Sequence, residues 1–461
     1  MPENRGQIGV LGAAAIGVGG MVGGGIFAVL GTAVDLAGGA TPIAFLLAGA
    51  VALVTAYSYA KLSVSIPNEG GTVAFLDEAF GIDLATGSVN LILWLSYLVT
   101  IALYASAFGA YGTALLGSQE PAWIRHAIMS GGILLPATIN LLNTDLISRA
   151  ETAIVVVKLV LLAVVVAAGA SQVDAARLAP STWPGPLPLV AGGMVIFVAY
   201  EGFELIANVA KDVRDPERTL PRAFIGSVVF VIALYAAVAV VTVGSVAPAV
   251  ITRAEDYALA EAARPALGHP GFVLVSISAL LATFSAINAT LYGDARLGYL
   301  LAKDGELPKP LEKKAWGRPV EGVLITTGLS LLLANLVDLT AIAILGSAGF
   351  LLIFTAVNAA AWKLAGRIGA RRVVAGVGIV ACLGALAALL YHTYEDAPAS
   401  LWTLFAFVVA AMIFEILYPR WSGRGLHPGN RASGQGIGSS PKPPGESRGS
   451  SLKKDSRGEK T

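Results

Sequence analysis

The sequence is short of charge, cysteine and histidine. Only 13% of its 461 residues are Asp, Glu, Lys or Arg, where soluble domains carry about 25%. With 56% hydrophobic residues and a mean hydropathy of +0.73, a chain of this length reads as an integral membrane protein. Cys382 is the single cysteine, which excludes an intrachain disulfide. The four histidines, His126, His269, His392 and His427, are scattered along the chain. They give no metal-ligand spacing and no nucleophile–base pair for a membrane-embedded enzyme. A net charge of +1 offers no basic field to nucleic acid. Neither metal nor cofactor is expected. The polar start Met1–Gln7 runs straight into an apolar segment, without the pattern of a cleavable signal.

What the sequence does have is long apolar runs. They fall at about 8–33, 41–66, 86–116, 122–142, 150–171, 187–210, 223–247, 271–298, 321–338, 339–361, 373–392 and 399–418, which makes twelve candidate transmembrane helices. Lys and Arg fix an expected orientation. With the N-terminus (residues 1–7) in the cytoplasm, the inner loops hold sixteen of them, among them Lys211, Arg214, Arg218, Arg222, Lys303, Lys313, Lys314, Arg318, Arg371 and Arg372. The outer loops hold only Arg125, Arg177, Arg253 and Arg264. The lipid bilayer is thus the first partner, and the expected location is the cytoplasmic membrane, with both termini inside. Residues 420–461 are rich in Gly, Ser, Pro and Lys and nearly devoid of apolar residues. They read as a disordered cytoplasmic tail.

The first apolar run contains its own weakness. Gly17, Gly19, Gly20, Gly23, Gly24, Gly25 and Gly31 crowd its middle, and each glycine weakens a helix by about 1 kcal/mol relative to alanine. Such glycines serve one of two ends. They let two helices pack closely, or they unwind the backbone so that bare N–H and C=O groups face a ligand, which a membrane tolerates only beside protein or a water-filled cavity. The sixth run, Gly192–Ala210, carries Glu201 and Glu204 around Gly202. A carboxylate at the bilayer centre costs at least ~2.5 kcal/mol and needs a cavity or a partner. A second interruption at Tyr200-Glu201-Gly202 accounts for both, with a new half-helix from Phe203 that has Glu204 in its first turn. Glu204 then caps and braces the break. Glu201 lines a pocket, or projects to water or to another helix. The fifth run has one charge in its middle, Lys158. It either snorkels to the interface or points into the bundle, where desolvation disfavours its charged form and makes it a proton carrier.

These residues resemble the amino acid–polyamine–organocation (APC) superfamily of transporters. The resemblance rests on five stretches in register: Gly20-Met21-Val22-Gly23-Gly24-Gly25-Ile26-Phe27; Pro67-Asn68-Glu69-Gly70-Gly71, like P-x-x-G-G; Phe197-Val198-Ala199-Tyr200-Glu201-Gly202-Phe203-Glu204, like the aromatic-rich break ending in G-F-E; Asp215-Pro216-Glu217-Arg218-Thr219-Leu220-Pro221-Arg222-Ala223, similar to N-P-x-R-x-x-P-R-A; and Arg296 through Lys303-Asp304-Gly305-Glu306-Leu307-Pro308, like R-D-G-x-x-P. Asp215 departs from the usual Asn and Lys303 from the frequent Arg. Val198 stands where some members carry a gating aromatic, a role open to Phe197, Tyr200 or Phe203.

The resemblance implies an all-α membrane protein of the leucine-transporter type. Two inverted five-helix repeats, 8–171 and 187–361, would be followed by two further helices over 373–418. It implies a secondary transporter for amino acids working by alternating access. The substrate would sit between Val22, Gly23, Gly24, Gly25 and Ile26, whose backbone meets its carboxylate, and Phe197, Ala199, Tyr200 and Glu201 around its ammonium, with Tyr104 as a further contact. Gly202 and Glu204 would be structural at the second break. A lysine in the fifth helix occurs in sodium-independent members, which makes Lys158 the expected proton-coupling residue and the proton a second partner. Amino acid exchange, transport of a polyamine or other organic cation, and a transporter-like sensor are the alternatives.

Overall fold

Glycine and proline stand at many of the points where the helices of this protein start, stop or kink. The computed structural model describes residues 7–68, 70–117, 121–142, 145–312, 320–396 and 398–422. Among the described residues every regular element is a helix, and the one extended pairing is an isolated parallel bridge between Ile8 and Val213. The α-helices are α1 (Val10–Met21), α2 (Gly25–Ala37), α3 (Thr41–Ser65), α4 (Thr72–Phe80), α5 (Leu84–Leu116), α6 (Ala122–Leu142), α7 (Asp145–Gly169), α8 (Pro186–Val195), α9 (Pro216–Ser245), α10 (Pro248–Ala254), α11 (Ala258–Lys303), α12 (Val320–Leu336), α13 (Leu339–Lys363), α14 (Ala365–Ile368), α15 (Arg372–Asp396) and α16 (Pro398–Ser422).

Each apolar segment of the sequence coincides with helix, so the all-α membrane architecture holds. Nine stretches among the described residues are long and apolar enough to cross a bilayer, and α1 and α12 are shorter apolar helices. Three sequence features lie outside the described residues: Glu69 of the Pro-Asn-Glu-Gly-Gly stretch, the loop cations Lys313, Lys314 and Arg318, and the tail beyond 422.

Local chemistry explains the interruptions. α1 stops at Met21 and α2 begins at Gly25, which leaves Val22, Gly23 and Gly24 outside both. The break is thus one residue earlier than the Gly-Gly-Gly triplet suggests, because Gly25 opens α2. The second interruption is longer than expected. α8 ends at Val195, the backbone tightens into 3₁₀ turns over Ile196–Tyr200, turns at Glu201-Gly202 and continues as 3₁₀ helix over Phe203–Asp212. Gly268, with φ +65°, kinks α11 between Pro265 and Pro270. Asp215 sits at φ +49° just ahead of Pro216. That left-handed conformation suits Asn and Asp, so Asp215 fills a position where the family motif has Asn.

Packing sorts the helices into inner and outer. In the most apolar window of α5, 89% of residues are buried, and in 186–212, 83%. In α7 and α15 the figure is 28%, and in α16 17%. The last three therefore present apolar side chains outward, as lipid-facing helices do. The broken segments lie inside. Tyr59 on α3 stacks edge-on against Phe203 (5.5 Å) and Phe354 (5.7 Å), and Phe203 also meets Phe354 at 5.2 Å. Aromatic pairs of this kind contribute about 0.5–1.5 kcal/mol each beyond burial, which braces a stretch whose own backbone bonding is poor. At one end of the bundle Ile8 N–H donates to Asp212 C=O (3.1 Å) and Arg214 N–H to Ile8 C=O (2.9 Å). The start of the first broken helix is thereby tied to the end of the second.

Candidate functional site

The two breaks touch each other. A Cβ on Gly20 would stand 2.9 Å from Gly202 Cα, and one on Gly25 would stand 2.7 Å from Ala199 Cα. Only glycine permits this approach of two backbones. Gly202 also takes φ +118°, a second reason for glycine there.

The crossing leaves polar backbone groups in a buried place. Gly24 is the N-cap of α2 and has no capping side chain among the described residues. The first N–H groups of a helix lack intrahelical partners, and the dipole puts partial positive charge at that end. Across from it lie the 3₁₀ turns at 196–200. Two hydroxyls stitch the breaks together. Tyr235 on α9 donates to both Met21 C=O (2.5 Å) and Ala199 C=O (3.2 Å). Tyr104 on α5 donates to Glu201 Oε2 at 3.0 Å while its ring lies against Gly24, so that a Cβ there would stand 2.2 Å from Tyr104 Cδ1. Ser347 on α13 holds the second break from the other side. It donates to Val195 C=O (2.7 Å) and accepts from Val198 N–H (3.0 Å).

The structure brings together the residues singled out in the sequence. Val22, Gly23, Gly24, Gly25, Ile26, Tyr104, Phe197, Ala199, Tyr200, Glu201, Gly202 and Glu204 are all buried at this crossing. Glu204 braces the turn: its Oε2 accepts from Gly202 N–H at 2.7 Å and its Oε1 from Tyr97 Oη at 3.3 Å. Glu201 lines a cavity of about 180 Å³ together with Tyr97, Glu204, Asn208, Arg296 and Leu300.

Phe197, Tyr200 and Phe203 do not line that cavity. Phe197 packs on Phe354, Tyr200 donates to Phe45 C=O at 2.8 Å, and Phe203 joins the Tyr59 cluster. Val198 faces Gly346. Tyr97 and Tyr292 are the aromatic residues of the cavity wall.

Lys158 points into the bundle rather than to the interface. It is 1% exposed, and its Nζ donates to Gly19 C=O at 2.8 Å. Gly19 lies in the last turn of α1, where carbonyls lack helical partners and attract a cation.

Sequence reasoning missed four residues here. Tyr235 is the lone tyrosine of α9 and Ser347 a lone hydroxyl amid apolar neighbours; neither position announces a partner 36 to 214 residues away. Tyr97 is equally anonymous. Asp294 gave a usable signal, being the one carboxylate inside the run 271–298.

Comparison with known proteins agrees with this architecture. Residues 8–417 match the family model described as amino acid permease. The inner membrane transport protein YbaT of Escherichia coli is 33% identical over 416 residues, covering 89% of this chain and 96% of that protein. The methylthioribose transporter of Bacillus subtilis is 27% identical, with 75% and 78% covered. The branched-chain amino acid permease BcaP of Lactococcus lactis is also 27% identical, with 87% and 92% covered. With its two broken helices crossing in the core of an all-α membrane fold, the chain belongs to the amino acid permease family of the APC superfamily and is a membrane transporter, not an enzyme.

Proposed function

We propose that the protein carries amino acids across the cytoplasmic membrane by alternating access, coupled to protons. The observation that carries this reading is the crossing itself. An uncapped helix start at Gly24 and a distorted turn at 196–201 lie side by side in the core. A zwitterion needs both: N–H groups and a helix dipole for its carboxylate, freed carbonyls for its ammonium. Val22 to Ile26 would take the carboxylate, and Phe197, Ala199, Tyr200 and Glu201 the ammonium end, with Tyr104 between them. Lys158 would take and release the proton, since its ammonium fixes the last turn of α1 next to the first break. Losing the charge would loosen that end of α1, which links protonation to opening.

The proposed frame has two inverted five-helix repeats over 8–171 and 187–361, helices at 373–418 appended, and both termini in the cytoplasm. A relative named for branched-chain amino acids supports a neutral substrate, and one named for methylthioribose marks how far substrates range in the family. A second reading, an organic cation as substrate, is favoured by the place of Glu201 in the cavity wall. Purified protein in liposomes, screened with labelled amino acids and polyamines with and without an inward proton gradient, tests substrate and coupling together. Gradient-stimulated uptake of an amino acid is the expected result. Gradient-independent exchange would overturn the coupling.

A further inference from the structure

Asp294 has no part in the scheme above, yet it is a poorly satisfied carboxylate near the site. It lies on α11, is 0% exposed, and stands in the wall of the cavity that adjoins Glu201. Its Oδ2 accepts from Thr326 Oγ1 on α12 at 2.8 Å, while its Oδ1 has no hydrogen-bond partner among the described residues. Glu204 is better served, accepting from Gly202 N–H and Tyr97. Glu201, like Asp294, accepts one hydrogen bond among the described residues, from Tyr104. A buried carboxylate oxygen without a partner costs about 1–3 kcal/mol or more, and an ionised one inside a membrane protein requires a cation or a water-filled space beside it.

The space is there. The cavity of about 180 Å³ has room for a small organic ion. Its described lining includes three carboxyl groups, Glu201, Glu204 and Asp294, against one guanidinium, Arg296. In a confined low-dielectric wall that imbalance concentrates cations. Glu201 belongs to the second break, and Asp294, on α11, lines the same cavity.

We infer that this cavity is a second ligand site, selective for a primary ammonium group, with Asp294 as its anionic ligand. An ammonium leaving the break region passes from Glu201 to Asp294, whose Oδ1, covered and without a hydrogen-bond partner among the described residues, becomes its acceptor once the side chain turns to the cavity. The occupant, as the amino group of a departing substrate, rests on the transport reading; the preference of the cavity for cations does not.

Thiol chemistry tests the site directly. Ala289 lines the cavity and differs little in size from cysteine. Ala289→Cys in a Cys382→Ala background places one thiol there in the full-length protein. The cationic reagent 2-aminoethyl methanethiosulfonate should modify it about tenfold or more faster than the anionic 2-sulfonatoethyl reagent, after correction for their rates with a free thiol. Ethylammonium should slow the cationic reagent in a saturable way. Asp294→Asn should abolish the protection and weaken the preference, which Glu201 and Glu204 still supply in part, and Asp294→Glu should restore both, with the anionic rate reporting that the cavity is still open. No charge preference, or no ethylammonium protection in the Asp294 parent, overturns the proposal without any Asp294 variant having to fold. Protection that survives Asp294→Asn undiminished overturns the assignment to Asp294. Failure of amino acid uptake in liposomes alongside intact protection would remove the substrate reading and leave the ammonium site standing.

Discussion

Gly20 and Gly202 meet backbone to backbone. A Cβ on Gly202 would stand 2.5 Å from the carbonyl carbon of Gly20, and one on Gly20 would stand 2.9 Å from Gly202 Cα. The two broken helices are therefore in register at a point where neither can carry a side chain.

Gly202→Ala should be among the most damaging single-methyl changes in this chain. It forces a side chain into φ +118°, which costs about 1–3 kcal/mol, and overpacks the crossing by a similar amount. Thermal unfolding in detergent should show a clear loss of stability, and liposome uptake should fall below detection. Wild-type melting and uptake would mean that the crossing is not as tight as its geometry states.

Gly24→Leu tests the ligand side of the same crossing. The Tyr104 ring already occupies the space above Gly24, so leucine must displace it and break the Tyr104–Glu201 hydrogen bond. It also favours continuous helix through the break. The variant should insert and purify but transport nothing. Normal uptake would remove the break from the binding site.

Glu201 should separate the substrate classes. It is 2% exposed and among the described residues receives one hydrogen bond, from Tyr104. If the side chain of the substrate is cationic, Glu201→Gln removes a charge partner in a low-dielectric site, and the Kd for cationic amino acids should rise about tenfold or more relative to that for neutral ones. With a neutral substrate both shift alike. Competition binding with labelled lysine and leucine on the purified protein measures the ratio.

A pH effect on stability is built in after α11. Glu306 is buried in the loop beyond Lys303, where burial first, and then the Glu415 carboxylate, push its pKa from 4.5 up to about 8, against the hydrogen bond from Asn90. The folded protein thus holds this proton more tightly than the unfolded chain. The stability it brings is fully present below about pH 4.5 and is lost as pH rises through about 8. Melting temperatures in detergent should fall across that window, and Glu306→Gln, which cannot ionise, should flatten the fall. An unchanged slope in the variant would assign the pH dependence elsewhere.

How much of this was legible in the sequence follows from the range of each interaction. The breaks were readable because their causes are local: glycines clustered in an apolar run, and a carboxylate beside Gly202 that caps its own turn. The 3₁₀ form of 196–212 was not, because the hydrogen bonds of Ser347 and the aromatic packing of Phe203, Tyr59 and Phe354 hold it from other helices. Nor did the sequence say which way Lys158 faces. Its acceptor, Gly19, is 139 residues away, and the flanking residues of its helix are apolar on every side. Tyr235 was silent for the same reason, bridging two carbonyls that exist as free acceptors only because both helices are broken.

Lys158 carries the sharpest test of coupling. Its ammonium donates to Gly19 C=O at 2.8 Å, a charge-assisted bond at the C-terminal end of α1, stronger than a neutral one by about a factor of two. A neutral amine would hold that end less firmly, so protonation and the position of α1 are linked. Lys158→Ala removes the tether and the proton site together, and should either stop uptake or leave it indifferent to an inward proton gradient. Lys158→Arg separates the two roles. Arginine keeps its charge at any working pH and can still donate to Gly19, so the tether remains while the proton can no longer come and go. Uptake measured across a pH series should therefore be lost or flat in the arginine variant. Full uptake that still rises with the proton gradient would leave Lys158 a structural anchor for α1 and move the proton to another group.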